Sequence, residues 1–336
     1  MEGIQIDVGN RRPIVRVPTG LYSLDLALSE KGKLGVPNAT LFEIAGKTGV
    51  GKSTSSYFIS GALAKNGSKS DQIEVVDLEG LDVDYLSQAI GVSGFRGKVH
   101  LVDDVIKGRI RSHTDMITES ADAIGKNENI RVVILDSVGA FIPDSEAGGD
   151  IGEANMGRRA FALGQWARRC VNFMNVREKP INVIYINHTH SVLAGQGHIT
   201  AGGDTLKYLS AVRITLWQKE AVKSGEDIIG YRVGGQVEKL RYGGKGRKFE
   251  LVIVPSYGVS RELTALYDAA NLELIDRGSV VKVDGKSIGY ISKLFEAAVT
   301  GNTSKFDPIF EKLEKEKNKN VLGNPGLYEE IESDEN

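Results

Sequence analysis

The chain has 336 residues, of which 41% are hydrophobic, enough for one large core with a smaller unit attached. Its net charge of −2 excludes a global basic field for nucleic acid, so such binding would have to come from local patches. Cys170 is the single cysteine, which excludes an internal disulfide and a cysteine metal cluster; a buried small side chain is its simplest interpretation. No apolar run is long enough to span a bilayer and no signal-peptide core is present, so we expect a soluble cytoplasmic protein without a membrane partner.

The predicted elements, taken in chain order, indicate an α/β protein. Residues 1–36 form a short N-terminal segment, a candidate for subunit docking, with one helical stretch at residues 21–28 that Thr19 or Ser23 would cap. From about residue 37 to 258, apolar β-rich runs alternate with helical patterns, which predicts a mostly parallel sheet with helices on both faces and antiparallel strands added at its C-terminal end. The runs are residues 40–45, 73–77, 98–102, 132–136, 182–187, 211–217, 231–240 and 249–254.

The remainder of the chain predicts a small α+β C-terminal domain. Residues 259–318 hold helix–hairpin–helix patterns, in which Asp284-Gly285 is the hairpin turn signal. Residues 319–336 form an acidic tail that we expect to be disordered.

A phosphate-loop motif is the most informative feature. Its residues are Gly46, Lys47, Thr48, Gly49, Val50, Gly51, Lys52, Ser53 and Thr54, which fit a glycine, four residues and then Gly-Lys-Ser/Thr. A predicted strand precedes the motif and helical spacing follows it, as a phosphate loop requires, which disfavours a chance match in a glycine-rich turn. Lys52 would reach the β- and γ-phosphates of a nucleoside triphosphate, and the Ser53 hydroxyl would ligate Mg²⁺.

Two other predicted strands lead into carboxylates that would complete a nucleotide site. The apolar strand at residues 132–136 ends in Asp136, where an α/β sheet would present it to Mg²⁺. The strand at residues 73–77 leads to Glu79, which would orient and polarise the attacking water. Position alone leaves a surface-loop glutamate as an equal alternative for Glu79.

Segments in matching order, from about residue 18 to 313, resemble the RecA family of recombinases. Residues 76–85 are similar to its segment with the catalytic glutamate and the adenine-stacking tyrosine, residues 136–141 to its magnesium-site strand, and residues 237–241 to the strand whose basic pair reaches a neighbouring subunit's nucleotide. Asn187-His188-Thr189 stands where the family has a strand ending in Asn-Gln, and this form favours the phage branch, for which the compartment would be the host cytoplasm.

The resemblance implies a role for each matching residue. His188 would replace the usual glutamine as the γ-phosphate sensor, and a hydrogen-bonded core histidine is the alternative. Lys239 and Arg241 would stabilise charge on ATP bound at the adjacent subunit, and a solvated strand edge is the alternative. The catalytic residues implied are Lys52, Glu79, His188, Lys239 and Arg241; Asp82 and Tyr85 would hold the adenine, and Ser53 and Asp136 the metal.

Two loops, at about residues 145–158 and 189–203, resemble the family's DNA-binding loops. The first leads into an arginine-rich helix, in which an exposed helix face is the alternative role of Arg158 and Arg169. The second is glycine-rich and has no aromatic residue, so we do not expect strong base stacking from it. The DNA-binding residues implied are Met156, Gly157, Arg158, Arg168, Ile199, Gly202 and Gly203.

The function implied is that of an ATP-dependent homologous recombination protein and DNA-dependent ATPase. It would form a helical filament on single-stranded DNA and exchange strands with homologous duplex DNA, using ATP and Mg²⁺, with single-strand-binding and mediator proteins as partners. An ATP-binding mediator or regulatory paralogue is one alternative, against which Glu79, Lys239 and Arg241 argue, since a regulator need not keep them. A hexameric helicase of related core is the other, and its linker helix is not evident.

Overall fold

A ten-stranded sheet forms the centre of the protein, whose computed structural model describes residues 13–106, 109–147, 156–191, 198–224, 226–241 and 243–322. The helices of these residues are α1 (Tyr22–Ala27), α2 (Lys52–Ala64), α3 (Val83–Gly91), α4 (His113–Lys126), α5 (Asp144–Ala147), α6 (Met156–Val176), α7 (Gly203–Leu209), α8 (Arg261–Asn271), α9 (Ile291–Val299) and α10 (Asp307–Leu322). Two short 3₁₀ turns lie at Val138–Ala140 and Thr303–Phe306. None of the helices in this part of the chain has the length and apolar character that crossing a membrane requires.

The strands alternate with these helices in the order that the sequence predicts. They are β1 (Arg16–Val17), β2 (Val36–Pro37), β3 (Leu41–Gly46), β4 (Gln72–Asp77), β5 (Lys98–Val102), β6 (Val105–Ile106), β7 (Arg109–Ile110), β8 (Ile130–Asp136), β9 (Asn182–Ser191), β10 (His198–Thr200), β11 (Val212–Ser224), β12 (Asp227–Leu240), β13 (Lys248–Val254), β14 (Gly258–Val259), β15 (Asp276–Arg277), β16 (Val280–Val283) and β17 (Lys286–Tyr290). In the sheet their spatial order is β14-β13-β12-β11-β3-β9-β8-β4-β5, with β10 paired to β9.

The pairing confirms the α/β fold class. Strands β11, β3, β9, β8, β4 and β5 run parallel to their neighbours, and β12, β13 and β14 extend the sheet by antiparallel pairing. Parallel strands are buried on both faces by the helices that connect them, which explains why β8 is apolar throughout its centre.

Two cores lie on opposite faces of the sheet because successive strand residues point to opposite sides. On β3, Phe42 and Ile44 face the core that includes α2 and α3, whereas Leu41 faces the core that includes α4 and α6. Cys170 on α6 is fully buried in the second core, and burial raises the pKa of its thiol; this confirms its interpretation as a small buried side chain.

The predicted cap of the first helix is wrong. Leu21 occupies the N-cap position of α1 and makes no side-chain cap bond. Thr19 donates instead from its backbone N–H and its hydroxyl to Oδ1 of Asp25, at 2.7 Å each. The Ser23 N–H at the start of the helix donates to Oδ2 of Asp268 on α8, at 3.0 Å. A carboxylate 245 residues away along the chain therefore accepts a helix N-terminal N–H group that a local cap residue would otherwise accept.

The segment after residue 259 packs against the end of the sheet. Residues of α8, α9 and α10 and of β16 form a third core with Val252 and Val254 of β13. The predicted Asp-Gly hairpin is confirmed: Val283 pairs with Lys286, and Asp284 and Gly285 adopt φ values of 49° and 76°, as a type I′ turn requires. Helix α10 continues to Leu322, past the predicted start of the acidic tail, and residues 323–336 lie outside the described residues. The domain limits at residues 36, 258 and 318 stay predictions.

Candidate nucleotide-binding and active site

The predicted nucleotide residues meet at one edge of the sheet, where four neighbouring parallel strands end. The strands lie in the order β3, β9, β8, β4. The phosphate loop follows β3, and Glu79 follows β4. Asp136 is the last residue of β8 and Ser137 comes directly after it, whereas His188 lies within β9, paired with Gly46 at the end of β3. Carboxyl ends of parallel strands are where α/β proteins bind their ligands.

The phosphate loop connects β3 directly to α2. Gly51 is the N-cap of α2 and adopts φ 87°, a backbone conformation that favours glycine, and a side chain there would also displace the terminal Cδ1 of Ile253. No side chain caps this helix end in the described structure, so its first N–H groups are available to bind an anion. The Lys52 ammonium donates to the backbone oxygen of Lys47 at 2.9 Å, so it lies across the loop. Burial lowers the pKa of Lys52, and the carboxylates of Glu79 and Asp136 oppose that shift.

Ser53, Asp136 and Tyr57 form a buried cluster behind the loop. The Tyr57 hydroxyl donates to Oδ2 of Asp136 at 3.0 Å, and the Ser53 hydroxyl also hydrogen-bonds this carboxylate. Burial raises the pKa of Asp136 to about 6, although both hydrogen bonds lower it. A hydroxyl and a carboxylate in contact, beside a phosphate-binding helix end, are the oxygen ligands that Mg²⁺ prefers. The residues present therefore fit the metal.

Glu79 contacts one residue directly after β8 and one residue of β9. The Ser137 hydroxyl donates a short hydrogen bond to Oε1 of Glu79. The same oxygen lies 3.5 Å from Nε2 of His188, and the other ring nitrogen of His188 lies 3.5 Å from Nζ of Lys52. His188 thus stands between the lysine of the phosphate loop and the predicted catalytic carboxylate. It is partly exposed, with 24% of its side chain accessible, which does not match a closed core histidine.

Asp82 and Tyr85 lie on the helix that follows Glu79. Oδ1 of Asp82 accepts the N–H groups of Asp84 and Tyr85 and so caps α3. The Tyr85 hydroxyl is 2.8 Å from Oγ1 of Thr54, the last residue of the phosphate-loop motif. The structure therefore brings Tyr85 to the first turn of α2, and it gives Asp82 a structural role as a cap; adenine binding by both stays a prediction.

Lys239 and Arg241 lie near the amino ends of the parallel strands, whereas the phosphate loop of their own chain follows the carboxyl end of β3. Leu240 pairs with Val212, and Val212 pairs with Phe42 at the amino end of β3. From there to Gly46 the strand covers ~13 Å. The Lys239 ammonium donates to the backbone oxygens of Lys207 and Tyr208, at 2.8 and 2.9 Å. Arg241 lies 3.5 Å from the Leu209 oxygen, so both cations contact the C-terminal end of α7.

Much of the two predicted DNA loops lies outside the described residues, namely residues 148–155 and 192–197. Met156 begins α6 and Ile199 lies in β10, and their side chains lie outside the described part of the structure. Gly202 and Gly203 begin α7 with φ values of 91° and 75°. A side chain at Gly202 would meet Leu206, and one at Gly203 would meet Ala160 of α6. Both glycines therefore have a packing role that is independent of DNA.

The arginines of α6 divide into two groups. Arg159 pairs with Glu146 at 3.1 Å, and Arg169 forms a short ion pair with Asp122. Arg158 and Arg168 lie on the exposed face of the helix. Arg169 is therefore both exposed and paired with a carboxylate, which fits only in part the exposed helix face that is its alternative role.

Sequence reasoning missed Ser137 and Tyr57 as members of the site. Ser137 directly follows Asp136, and Tyr57 lies four residues after Ser53 on α2, one turn along the same helix face. A polar side chain at either spacing was the available signal, but many buried hydroxyls have this spacing without a role.

Comparison with known proteins agrees with this geometry. The family model described as the RecA N-terminal domain matches residues 4–260. Protein RecA 2 of Myxococcus xanthus is 28% identical over 296 residues, which cover 86% of this chain and 78% of that protein. Protein RecA of Gloeobacter violaceus is 30% identical over 278 residues, covering 82% and 70%, and Protein RecA of Syntrophus aciditrophicus is 29% identical over 282 residues, covering 82% and 77%. These relatives are bacterial, and the phage branch stays a prediction from residues 187–189.

Proposed function

Because the chain belongs to the RecA family, we propose that it is an ATP-dependent recombination protein. It assembles as a filament on single-stranded DNA, hydrolyses ATP in response to that DNA, and exchanges strands with a homologous duplex. The observation that carries the proposal is the position of His188, whose two ring nitrogens each lie 3.5 Å from a partner, Lys52 on one side and Glu79 on the other.

Binding of the nucleotide uses groups that are already in place. The N–H groups at the start of α2 and the ammonium of Lys52 bind the phosphates, and Ser53 and Asp136 would hold Mg²⁺. When bound, Mg²⁺ neutralises charge on the phosphate oxygens. The Tyr57 hydroxyl keeps the Asp136 carboxylate oriented towards Ser53.

Hydrolysis depends on Glu79. Its carboxylate orients a water molecule towards the γ-phosphate and takes a proton from it as the new P–O bond forms and the bond to the leaving diphosphate breaks. Ser137 and His188 hold the carboxylate from two sides, which limits its rotation. Lys239 and Arg241 of an adjacent subunit stabilise the charge of the transition state, since the strand register places them far from the phosphate loop of their own chain.

The state of the γ-phosphate is communicated to the second DNA loop through β9. His188 precedes the end of that strand, and its neighbour Asn187 donates to the Ala201 oxygen at 2.9 Å and accepts the Ala201 N–H at 3.2 Å. Ala201 lies between the end of β10 and the start of α7. A shift of His188 upon phosphate release therefore acts on both ends of the loop.

The first test is ATP hydrolysis with and without single-stranded DNA, over a range of protein concentrations, together with Lys52→Ala and Glu79→Ala. We expect turnover that needs DNA and rises cooperatively with protein, and a loss of about 10²-fold or more in both variants. Only Glu79→Ala should keep ATP-stabilised DNA binding, because it leaves the phosphate contacts intact. Equal loss of DNA binding in both variants, or turnover that ignores DNA, contradicts the proposal.

Strand exchange is tested separately with circular single-stranded DNA and a homologous linear duplex. Joint molecules should form with ATP, and a heterologous duplex of the same length is the control. DNA-dependent hydrolysis without joint molecules would instead assign the chain to the mediators or regulatory paralogues.

A further inference from the structure

Phe161 on α6 is an exposed aromatic side chain that the proposed active site does not use. Its accessible fraction is 62%, whereas the other aromatic side chain on the centre of this helix, Trp166, is buried. Phe161 lies five residues after Met156, where α6 emerges from the first predicted DNA loop. Exposure of a phenyl ring has no benefit for folding, because the ring gains stability only when it leaves water.

A cavity of about 370 Å³ lies beside this ring. Phe161, Gly157 and Arg158 of α6 line one side of it, and Thr114, Pro143 and Asp144 contribute to the other. The volume falls in the range of about 300–1,000 Å³ that is usual for sites of small organic groups. A side chain added at Gly157 would meet no atom within 4 Å, so the wall next to the ring is open.

The charges around the ring favour one kind of ligand. Arg158 precedes Phe161 by three residues and Arg168 follows it by seven, which places both arginines on the same exposed face of α6 as the ring, one before it and one about two turns after it. Among the described residues, Arg168 has no side-chain partner, unlike Arg159 and Arg169. Asp144 lines the cavity itself and would repel a phosphate placed inside it. An uncharged planar group in the cavity, with anionic groups beside it at the arginines, fits this pattern.

We propose that Phe161 is a base-stacking residue, and that the cavity beside it accepts one nucleobase of single-stranded DNA. The inference rests on the proposed function and adds to it a contact for the bases, which the second loop lacks because it has no aromatic residue. The phenyl ring stacks on the face of the base, a contact that tolerates every sequence. The phosphates on either side of that base are bound by Arg158 and Arg168.

The experiment compares Phe161→Ala, Phe161→Leu and Phe161→Trp with the wild type, each bound to a non-hydrolysable ATP analogue. Affinity is measured for a mixed-sequence oligonucleotide and for one of equal length whose sugars are mostly abasic. Stacking predicts that Phe161→Ala weakens binding to the normal strand by about tenfold and leaves binding to the abasic strand unchanged. Phe161→Leu should resemble Phe161→Ala, and Phe161→Trp should bind the normal strand at least as well as the wild type.

Arg168→Ala is the matched control on the same helix face. Because it removes a phosphate contact, it should weaken binding to both oligonucleotides and reduce the dependence of affinity on salt. Folding should be unaffected in all these variants, since both side chains are exposed; circular dichroism and thermal unfolding check this.

Other outcomes overturn the proposal. If Phe161→Ala weakens binding to the normal and abasic strands equally, the ring does not contact bases. A change in self-association measured by sedimentation without DNA would mean that the ring packs against a second copy of the chain. Failure of the wild type to bind single-stranded DNA would contradict the proposed function as well, whereas strong binding that is insensitive to Phe161 contradicts only the stacking site.

Discussion

Glu74 lies in the middle of β4 and is 3% exposed, although it carries a carboxyl group. Burial raises its pKa to about 8, and the charge of Glu119 on α4 adds to the rise. Nδ1 of His100 on β5 lies 3.4 Å from one oxygen, while the other oxygen has no hydrogen-bond partner among the described residues. Arg111 is directed at Glu119 rather than at Glu74, and Cys170 of α6 lies near enough to sense its charge.

This environment predicts a pH-dependent stability. The folded-state pKa of Glu74 is above its value of 4.5 in an unfolded chain, so the folded state retains a proton that the unfolded state loses. The free energy of unfolding is therefore not reduced by Glu74 below about pH 4.5, and it falls as the pH rises from there to about 8, because the buried carboxyl group must then ionise. We therefore expect Glu74→Gln to raise the free energy of unfolding at pH 8.5 by ~3 kcal/mol and to have much less effect at pH 5.

Urea denaturation at both pH values measures this difference. Glu119→Gln is the control, because its carboxylate is half-exposed and only assists the shift; it should change stability by less than ~1 kcal/mol. A stabilisation by Glu74→Gln that is the same at both pH values would show that the carboxyl group does not titrate in this range.

Residues whose role depends on neighbours in the chain were predictable, and those that depend on distant neighbours were not. The phosphate loop is a continuous motif, so its place between a strand and a helix could be predicted directly, and it lies between β3 and α2. The burial of Glu74 arises from α4 and α6, which pack over β4, and no local pattern distinguishes it from an exposed strand glutamate. Ser137 was missed for the same reason, since its partner Glu79 lies 58 residues earlier.

At the scale of elements, the alternation of apolar runs with helical patterns correctly predicted the order of the main strands. Strand β5 has the predicted bounds, Lys98–Val102, whereas β9, β11 and β12 are longer than predicted. Many of the extra residues are polar, among them Lys219 and Asp227, and the extensions are held by cross-strand pairing, such as that of Ser224 with Asp227, which side-chain periodicity does not reveal. The cap of α1 could not be predicted from local sequence either, because Asp268 of another helix accepts the N–H group of Ser23.

Helix α7 depends on a strand residue at its C-terminal end. The last carbonyl groups of a helix have no partner within it, and Lys239 donates to two of them, those of Lys207 and Tyr208. Lys239→Met should therefore cost α7 about 1 kcal/mol, seen as a few-fold faster amide hydrogen exchange in residues 203–209. The experiment uses the chain without nucleotide or DNA, so that the proposed role at a neighbouring subunit does not contribute.

Lys245→Met is the matched control for this prediction. Lys245 is exposed in the turn after β12 and has no side-chain partner among the described residues, so its loss should leave exchange in α7 unchanged. Unchanged exchange in Lys239→Met would show that the two hydrogen bonds do not hold the helix end. If the bonds do hold it, a Lys239 that moves to a neighbouring nucleotide releases α7, which begins directly after the second predicted DNA loop.

At the scale of the whole molecule, the sheet separates the two halves of the proposed catalytic machinery. Lys52, Ser53, Asp136, Glu79 and His188 lie at the carboxyl edge of the parallel strands, and the register of β12 with β11 and β3 places Lys239 at the opposite edge. If Lys239 and Arg241 act as proposed, one chain cannot complete its own site. A head-to-tail contact, in which each subunit presents its Lys239 to the next subunit's phosphate loop, would complete every site except the last.

Mixing two inactive variants tests this arrangement. Lys52→Ala removes the phosphate-loop cation, and the double variant Lys239→Ala with Arg241→Ala removes the cations presented to the neighbour; each alone should lose DNA-dependent hydrolysis. In a random 1:1 mixture, about a quarter of the contacts join an intact phosphate loop to an intact basic pair, so about a quarter of wild-type turnover should return. Lys52→Ala mixed with Glu79→Ala is the control, because every contact then has a defective phosphate-loop side and no activity should return. Recovery in the control as well would mean that mixing restores activity by a route other than this basic pair. No recovery in either mixture would mean that Lys239 and Arg241 act structurally within their own chain, through their contacts with the end of α7.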